Sequence, residues 1–195
     1  MLAERALIDS VANKTGDTLV VVCYHTSGPY MIPKAQERED FYNTGFNVPF
    51  VVFDGKDAVW EQNPSKYDSL YEAHYQMART NTPYFNLYID SAYSEPSSAS
   101  FNLKIVTADT IPSGEISAFV AVTEDSLPGA YTTFYRVCRA LYEFPVQMEY
   151  PDSLTQHFEF NHSIPASKLR ATVFVQNMTT KEIMQTITTE FMEAK

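Results

Sequence analysis

Two cysteines in 195 residues, Cys23 and Cys138, are too few and too far apart in sequence for a C-x-x-C redox pair, a metal-ligand cluster or the disulfide framework of a small secreted domain. Cations are also scarce. Against 24 Asp and Glu stand 14 Lys and Arg, giving a net charge of -10, and no stretch gathers the basic residues into a patch that could neutralise phosphates. Nucleic acid is therefore a poor partner, and none is expected. No apolar run approaches the roughly 20 residues that a membrane-spanning helix needs. The opening "MLAERALIDSVANKTGD" is amphipathic, without a signal-peptide core. His157 and His162 fall on opposite faces of one expected strand and cannot chelate one ion together. Neither a metal nor a cofactor is expected.

What is present is enough apolar material for a core: 45% of residues are hydrophobic and 14% aromatic. The first part of the chain mixes helix and strand signals. Leu2, Ala6, Leu7 and Val11 at helical spacing predict a helix over 2–13, stopped at Gly16-Asp17. "TLVVVCY" (18–24) is continuously apolar and β-branched, the pattern of a strand buried on both faces in a parallel sheet. "KAQEREDFY" predicts a short helix on which Arg38, among Glu37, Glu39 and Asp40, belongs to a solvated face. In "VPFVVFDGKDAVWE" the pair Asp54-Gly55 between apolar runs signals a hairpin of 48–53 with 56–61, since a type I′ turn needs positive φ at both central residues. Trp60 is expected to anchor that hairpin to the second half. Asn63 can cap a helix with Pro64 at its first position, whose Tyr67, Leu70, Tyr71, His74 and Ala78 share one face.

From Pro83 the period changes to two. Phe85, Leu87 and Ile89 alternate with Asn86, Tyr88 and Asp90, and Phe101, Leu103 and Ile105 with Asn102, Lys104 and Val106. "EISAFVAVTED", "TTFYRVCRALY", "LTQHFEFNHSI" and "RATVFVQN" follow as further strands, separated by loops spaced as in a β-sandwich. In "TKEIMQTITTEFM" Ile183, Ile187 and Phe191 fit both periods; the threonines favour a strand hairpinned to 170–177. The class expected is α+β, with 1–82 as one domain and 83–195 as the other.

Four stretches carry a family resemblance: "VVVCYHTSGP", "FYNTGFNVPFVVFDG", "ISAFVAVTED" with "YRVCRAL", and "ATVFVQNMTTKEIMQ". Together they resemble the bacterial family named for its relation to outer membrane protein twenty-eight. That resemblance implies an incomplete thioredoxin-like α/β layer followed by an antiparallel β-sandwich, and an extracytoplasmic location in the periplasm or outer membrane. It also implies that the redox strand and its C-x-x-C would lie upstream of Met1, and that Pro49 is a cis-proline left from the dithiol site. With the central strand absent, 18–24 is expected to pair directly with 48–53, with some tendency to dimerise.

The candidate site follows from the same half. His25 lies just beyond the carboxyl end of a parallel-type strand, where open α/β sheets bind ligands, and Tyr24, Ser27 and Tyr30 could line a small polar pocket with it. The bland alternative is an imidazole bonded to the loop backbone. No acid at short range completes a triad and Ser27 has no nucleophile elbow. Cys23, Cys138 and His74 read as structural. The functional expectation is a non-enzymatic binding or scaffold module of the cell envelope, contacting a protein or a glycan. The alternative is a thiol-disulfide oxidoreductase whose dithiol precedes residue 1.

Overall fold

A computed structural model describes residues 2–12, 19–45 and 47–194. The expected helix stop at Gly16-Asp17, and the ends at Asn13 and Thr18 of the two elements flanking it, lie outside the described residues. Helix α1 (Leu2–Arg5) runs on as a π-helical stretch, Ala6–Ala12, and buries Ala3, Ala6, Leu7 and Val11. Helix α2 is Pro33–Tyr42, with Pro33 in the first turn and Asn43 closing it in the left-handed region at φ 55°. The hairpin is β1 (Phe50–Phe53) with β2 (Asp57–Trp60), antiparallel. After a 3₁₀ turn at Pro64–Lys66, capped by the Asn63 side chain on the Ser65 amide at 3.1 Å, helix α3 covers Tyr67–Ala78.

Two of these elements depart from expectation. The hairpin pairs Phe53 with Asp57, not with Lys56, so its loop has three residues: Asp54 (φ 44°) and Gly55 (φ 77°) form the turn and Lys56 adds a residue before the ladder. Trp60 does not anchor it, being 52% exposed. Residues 19–24 form no ladder. Cys23 alone is paired, as a parallel bridge to Val137, and among the described residues no backbone hydrogen bond joins 19–22 to 50–53. Direct closure of 18–24 onto 48–53 is thus overturned. The side-chain reading holds better: Leu19 and Val21 pack on one cluster and Val22 and Tyr24 on another, so the segment is covered on two faces while its lateral edges go largely unused.

The second half is a sandwich, antiparallel throughout except where the short last strand lies parallel to the first. Strands β3 (Phe85–Ser94), β4 (Ser98–Thr107), β5 (Ile116–Glu124), β8 (Val137–Pro145), β9 (Ser153–Asn161), β10 (Leu169–Asn177) and β11 (Ile183–Glu190) form two four-stranded sheets with the short β12 (Met192–Glu193). Their orders are β11-β10-β5-β8 and β12-β3-β4-β9; a small ribbon, β6 (Leu127–Pro128) with β7 (Thr133–Phe134), lies outside them. The ambiguous last segment is a strand, paired with β10 from Arg170↔Glu190 onward. Between the sheets lies a core that includes Phe85, Phe101, Leu103, Ile105, Val120, Val122, Val173 and Val175.

The class expected from the sequence, α+β with stacked antiparallel sheets behind a front layer of helices and strands, is the observed one. The front layer has its own core of Ala3, Ala6, Leu7, Val11, Phe53, Val59, Tyr67, Tyr71 and Tyr75. A third cluster, Phe119, Ala121, Cys138, Leu141 and Phe174 with Val22, Tyr24 and Ile32, is the outer face of the β5/β10 sheet pressed against the front layer. That is why β5 and β10 are buried on both faces, unlike β3, which alternates.

Candidate functional site

Where the ladder between 19–22 and β1 is missing, the molecule has a cleft of about 910 Å³. One wall is the extended segment 19–27, the other 47–54, and Phe174 and residues 182–186 of the sandwich form part of the lining. All four residues of β1 line the cleft; Val51 and Phe53 also pack into the front core, whereas Phe50 and Val52 alternate with them and belong to no packed cluster. Val20 is likewise half-buried and outside every cluster.

Arg38 also lines this cleft, and the expected solvated placement is wrong: it is 6% exposed. Ala35, Arg38, Glu39 and Tyr42 share one face of α2 at i, i+3, i+4 and i+7, and that face is laid on the sandwich. The Arg38 Nη2 donates to the Tyr42 hydroxyl and to Gln176 Oε1, both at 2.8 Å. The guanidinium carbon stands 4.8 Å from the ring centroids of Phe41 and Tyr42, 4.9 Å from Phe119 and 5.6 Å from Phe174. Ring faces and two neutral acceptors hold the charge. Among the described residues no carboxylate pairs with it, and its Nε is buried without a partner. Sequence reasoning misses this residue because the buried face of α2 is polar, and hydrophobic periodicity is blind to such a face.

The other charged groups of the cleft are accounted for. Glu4 accepts from the Tyr135 amide; Glu182 pairs with Lys56 at 3.1 Å; Asp54 accepts from Asn81 at 3.3 Å; Glu39 accepts from Gln36 at 2.9 Å; and Arg79 is exposed over the Tyr75 ring.

Of the four expected pocket residues, Tyr24, His25 and Ser27 line the cleft. Tyr30 does not; it sits edge-on to His25 at 5.8 Å, donates to the Pro128 carbonyl at 2.6 Å and lies under Arg139. His25 is also edge-on to Phe134 at 4.7 Å, and burial holds its imidazole below the usual range, so it is neutral at pH 7. Burial likewise pushes the Tyr24 hydroxyl up. The Val48–Pro49 bond at the cleft edge is cis. The Asp54-Gly55 turn docks on the sandwich: the Asp54 carbonyl accepts the Ile183 amide at 2.8 Å, and a Cβ at Gly55 would collide with the Lys181 carbonyl oxygen.

The fold brings the two cysteines together at the backbone, with the Cys138 amide donating to the Cys23 carbonyl at 2.9 Å. Both thiols are free. Burial pushes Cys138 up to about 12 and Cys23 higher still, which leaves neither with thiolate character at neutral pH. His74 stacks on Phe53 at 5.8 Å and meets Asp57 at 2.5 Å; His157 bonds Asn102 from β9, and His162, just past that strand, bonds Ser94 at 3.2 Å. No group of three metal-ligating side chains occurs among the described residues. No described helix is long and apolar enough to cross a membrane.

No protein-family model matches the sequence, and no curated protein matches it. Solved structures do. HBP35 of Porphyromonas gingivalis superposes with a TM-score of 0.59 over 82% of this chain at 8% identity, and this chain spans 58% of that one. A domain of the outer membrane lipoprotein Omp28 from Porphyromonas gingivalis matches 58% of this chain and 92% of its own at 16% identity, with a TM-score of 0.36. A calcium binding mutant of Bacteroides uniformis β-glucuronidase 2 matches 55% of this chain and 13% of its own at 9% identity, with a TM-score of 0.36. The first of these similarities is one of fold, extending over front layer and sandwich together.

Proposed function

We propose that this chain is a non-enzymatic binding module of the bacterial cell envelope. In this reading 1–82 is an incomplete thioredoxin-like layer, 83–195 is the sandwich that carries it, and a protein or glycan partner is held in the cleft between 19–27 and 47–54. One observation carries the reading: an open cleft of about 910 Å³ that presents Val20, Phe50 and Val52, side chains outside every packed cluster, beside a buried cation. Polar groups that would do chemistry do not converge there among the described residues. The imidazole of His25 is turned among aromatic rings, and the thiols are far from ionisation. The envelope location rests on the family resemblance of the four sequence stretches.

The test is binding of the purified chain to glycan and peptide arrays, with Val20→Lys as the blocked control. Retention by the parent protein and loss in the variant are expected. Turnover of any ester, peptide, glycoside or disulfide substrate by this chain alone would overturn the proposal. Fractionation of the native host tests the location, and sedimentation of the parent chain tests for a dimer.

A further inference from the structure

Building on the binding reading above, we propose that the cleft receives an extended polypeptide segment of about six residues, which adds as a strand to the free edge of β1 and sets a carboxylate against Arg38. Three observations converge on that occupant. First, both walls are backbone in search of a ladder. Among the described residues β1 has no ladder partner but β2, and 19–22 makes no backbone bond to it, so the edge of β1 away from β2 carries no ladder. A strand is the occupant that satisfies such an edge.

Second, the volume fits. A strand residue fills roughly 160 Å³, from its rise of about 3.3 Å, a strand spacing of about 4.8 Å and a layer thickness of about 10 Å. The 910 Å³ of the cleft therefore holds about six residues. Val20, Phe50 and Val52 offer apolar contacts, so the alternating residues that meet them are apolar, β-branched ones.

Third, the charge is uncompensated. Arg38 is buried with no carboxylate among the described residues, while Glu4, Glu39, Asp54 and Glu182 each hold a partner elsewhere. Burying a guanidinium without an anion is costly, and an incoming Asp, Glu or C-terminal carboxylate removes that cost with a charge-assisted bond. A neutral glycan or lipid chain brings no carboxylate to the cation, and neither a glycan nor a lipid has the repeating amides and carbonyls that continue a ladder on β1.

The probe is a random twelve-residue peptide library displayed on phage, panned against the full chain, with enriched sequences then made as synthetic peptides. Expected are β-branched sequences with an acid at a fixed place, binding that is lost in Val20→Lys, and slowed amide hydrogen exchange at 19–22 and 50–53 on peptide addition. Replacing the peptide's acid by its amide should weaken binding by about tenfold to a hundredfold. Arg38→Met should abolish that discrimination while leaving the apolar preference. Should Arg38→Met fail to fold, the acid-to-amide pair measured on the parent protein decides the point alone. No enrichment, enrichment indifferent to acid, or protection elsewhere overturns the inference. So does protection of 19–22 and 50–53 that follows protein concentration without peptide, since a second copy would then be the occupant. Val20-sensitive binding to the glycan array alone overturns this inference and leaves the binding module standing.

Discussion

The sandwich and the front layer are stabilised in different ways. The sandwich closes on itself: each long strand has ladder partners, and its inner faces share one core. The front layer has a two-stranded hairpin, an unladdered extended segment and helices that need the outer face of β5 and β10 to finish burying them. An isolated hairpin is marginal in water, so this layer persists because the sandwich lends it a second surface. The comparison predicts that damage to the sandwich destroys both regions, whereas damage to the joint loosens the front alone.

The largest effect belongs to the sandwich core. Phe101 is fully buried, stacked on Phe158 at 5.6 Å and edge-on to Phe191 at 6.3 Å. Phe101→Ala should cost about 3–5 kcal/mol in urea unfolding and lower the front and sandwich transitions together. Retention of a sandwich-like transition with the front lost would contradict it.

The joint comes next. Gly55 holds φ 77° and sits so close to the Lys181 carbonyl that a methyl group would overlap the oxygen. Gly55→Ala should cost about 2–3 kcal/mol and accelerate amide exchange in β1, β2 and α3 while β4 and β9 keep their protection. Uniform acceleration across both regions would refute the separation.

How far these two regions can be read from residues alone differs for the same physical reason. In the sandwich, period two reports a face turned inward and a face turned out, and β3 and β4 follow Phe85, Leu87, Phe101, Leu103 and Ile105 as written. In the front layer the run "VVVCY" correctly signals cover on two faces. Side-chain pattern does not specify which backbone lies alongside, however, so the ladder assigned to it does not exist. Arg38 is illegible for a related reason. The buried face of α2 is written in Arg, Glu and Tyr, whose burial depends on Phe119 and Phe174, residues from strands far along the chain. Adjacency in sequence is enough to place Tyr24, His25 and Ser27 together, but the groups opposite them require the fold.

A smaller and opposite effect lies in the front core. Tyr71 is fully buried, and its hydroxyl has no partner among the described residues. An unpaired buried hydroxyl costs desolvation without return, so Tyr71→Phe should stabilise the front layer by about 1 kcal/mol, read as slower exchange in α3. The sandwich core contains no such orphan hydroxyl among the described residues, and Phe substitutions there should find nothing to gain. Destabilisation by Tyr71→Phe would show that the hydroxyl is satisfied by water in solution.

The finest distinction is one of pH. Glu4, in the front helix, is buried against the sandwich loop and accepts from the Tyr135 amide; burial raises its carboxyl above the usual 4.5 despite that bond. The folded state therefore holds the Glu4 proton more tightly than the unfolded state does. Its contribution to stability is complete below about pH 4.5 and is lost as pH rises through the folded value. Asp54 and Asp125 are raised by burial too and act in the same direction, so the comparison must be made between proteins and not between pH values alone. Gln at position 4 keeps an acceptor for Tyr135 and cannot ionise. Glu4→Gln should accordingly lose less stability than the parent as pH rises from about 4.5 through the folded value in urea titrations, by a margin smaller than any effect above. Parallel pH profiles would mean that water reaches the carboxylate, and that the seam between front layer and sandwich is wetter than its packing implies.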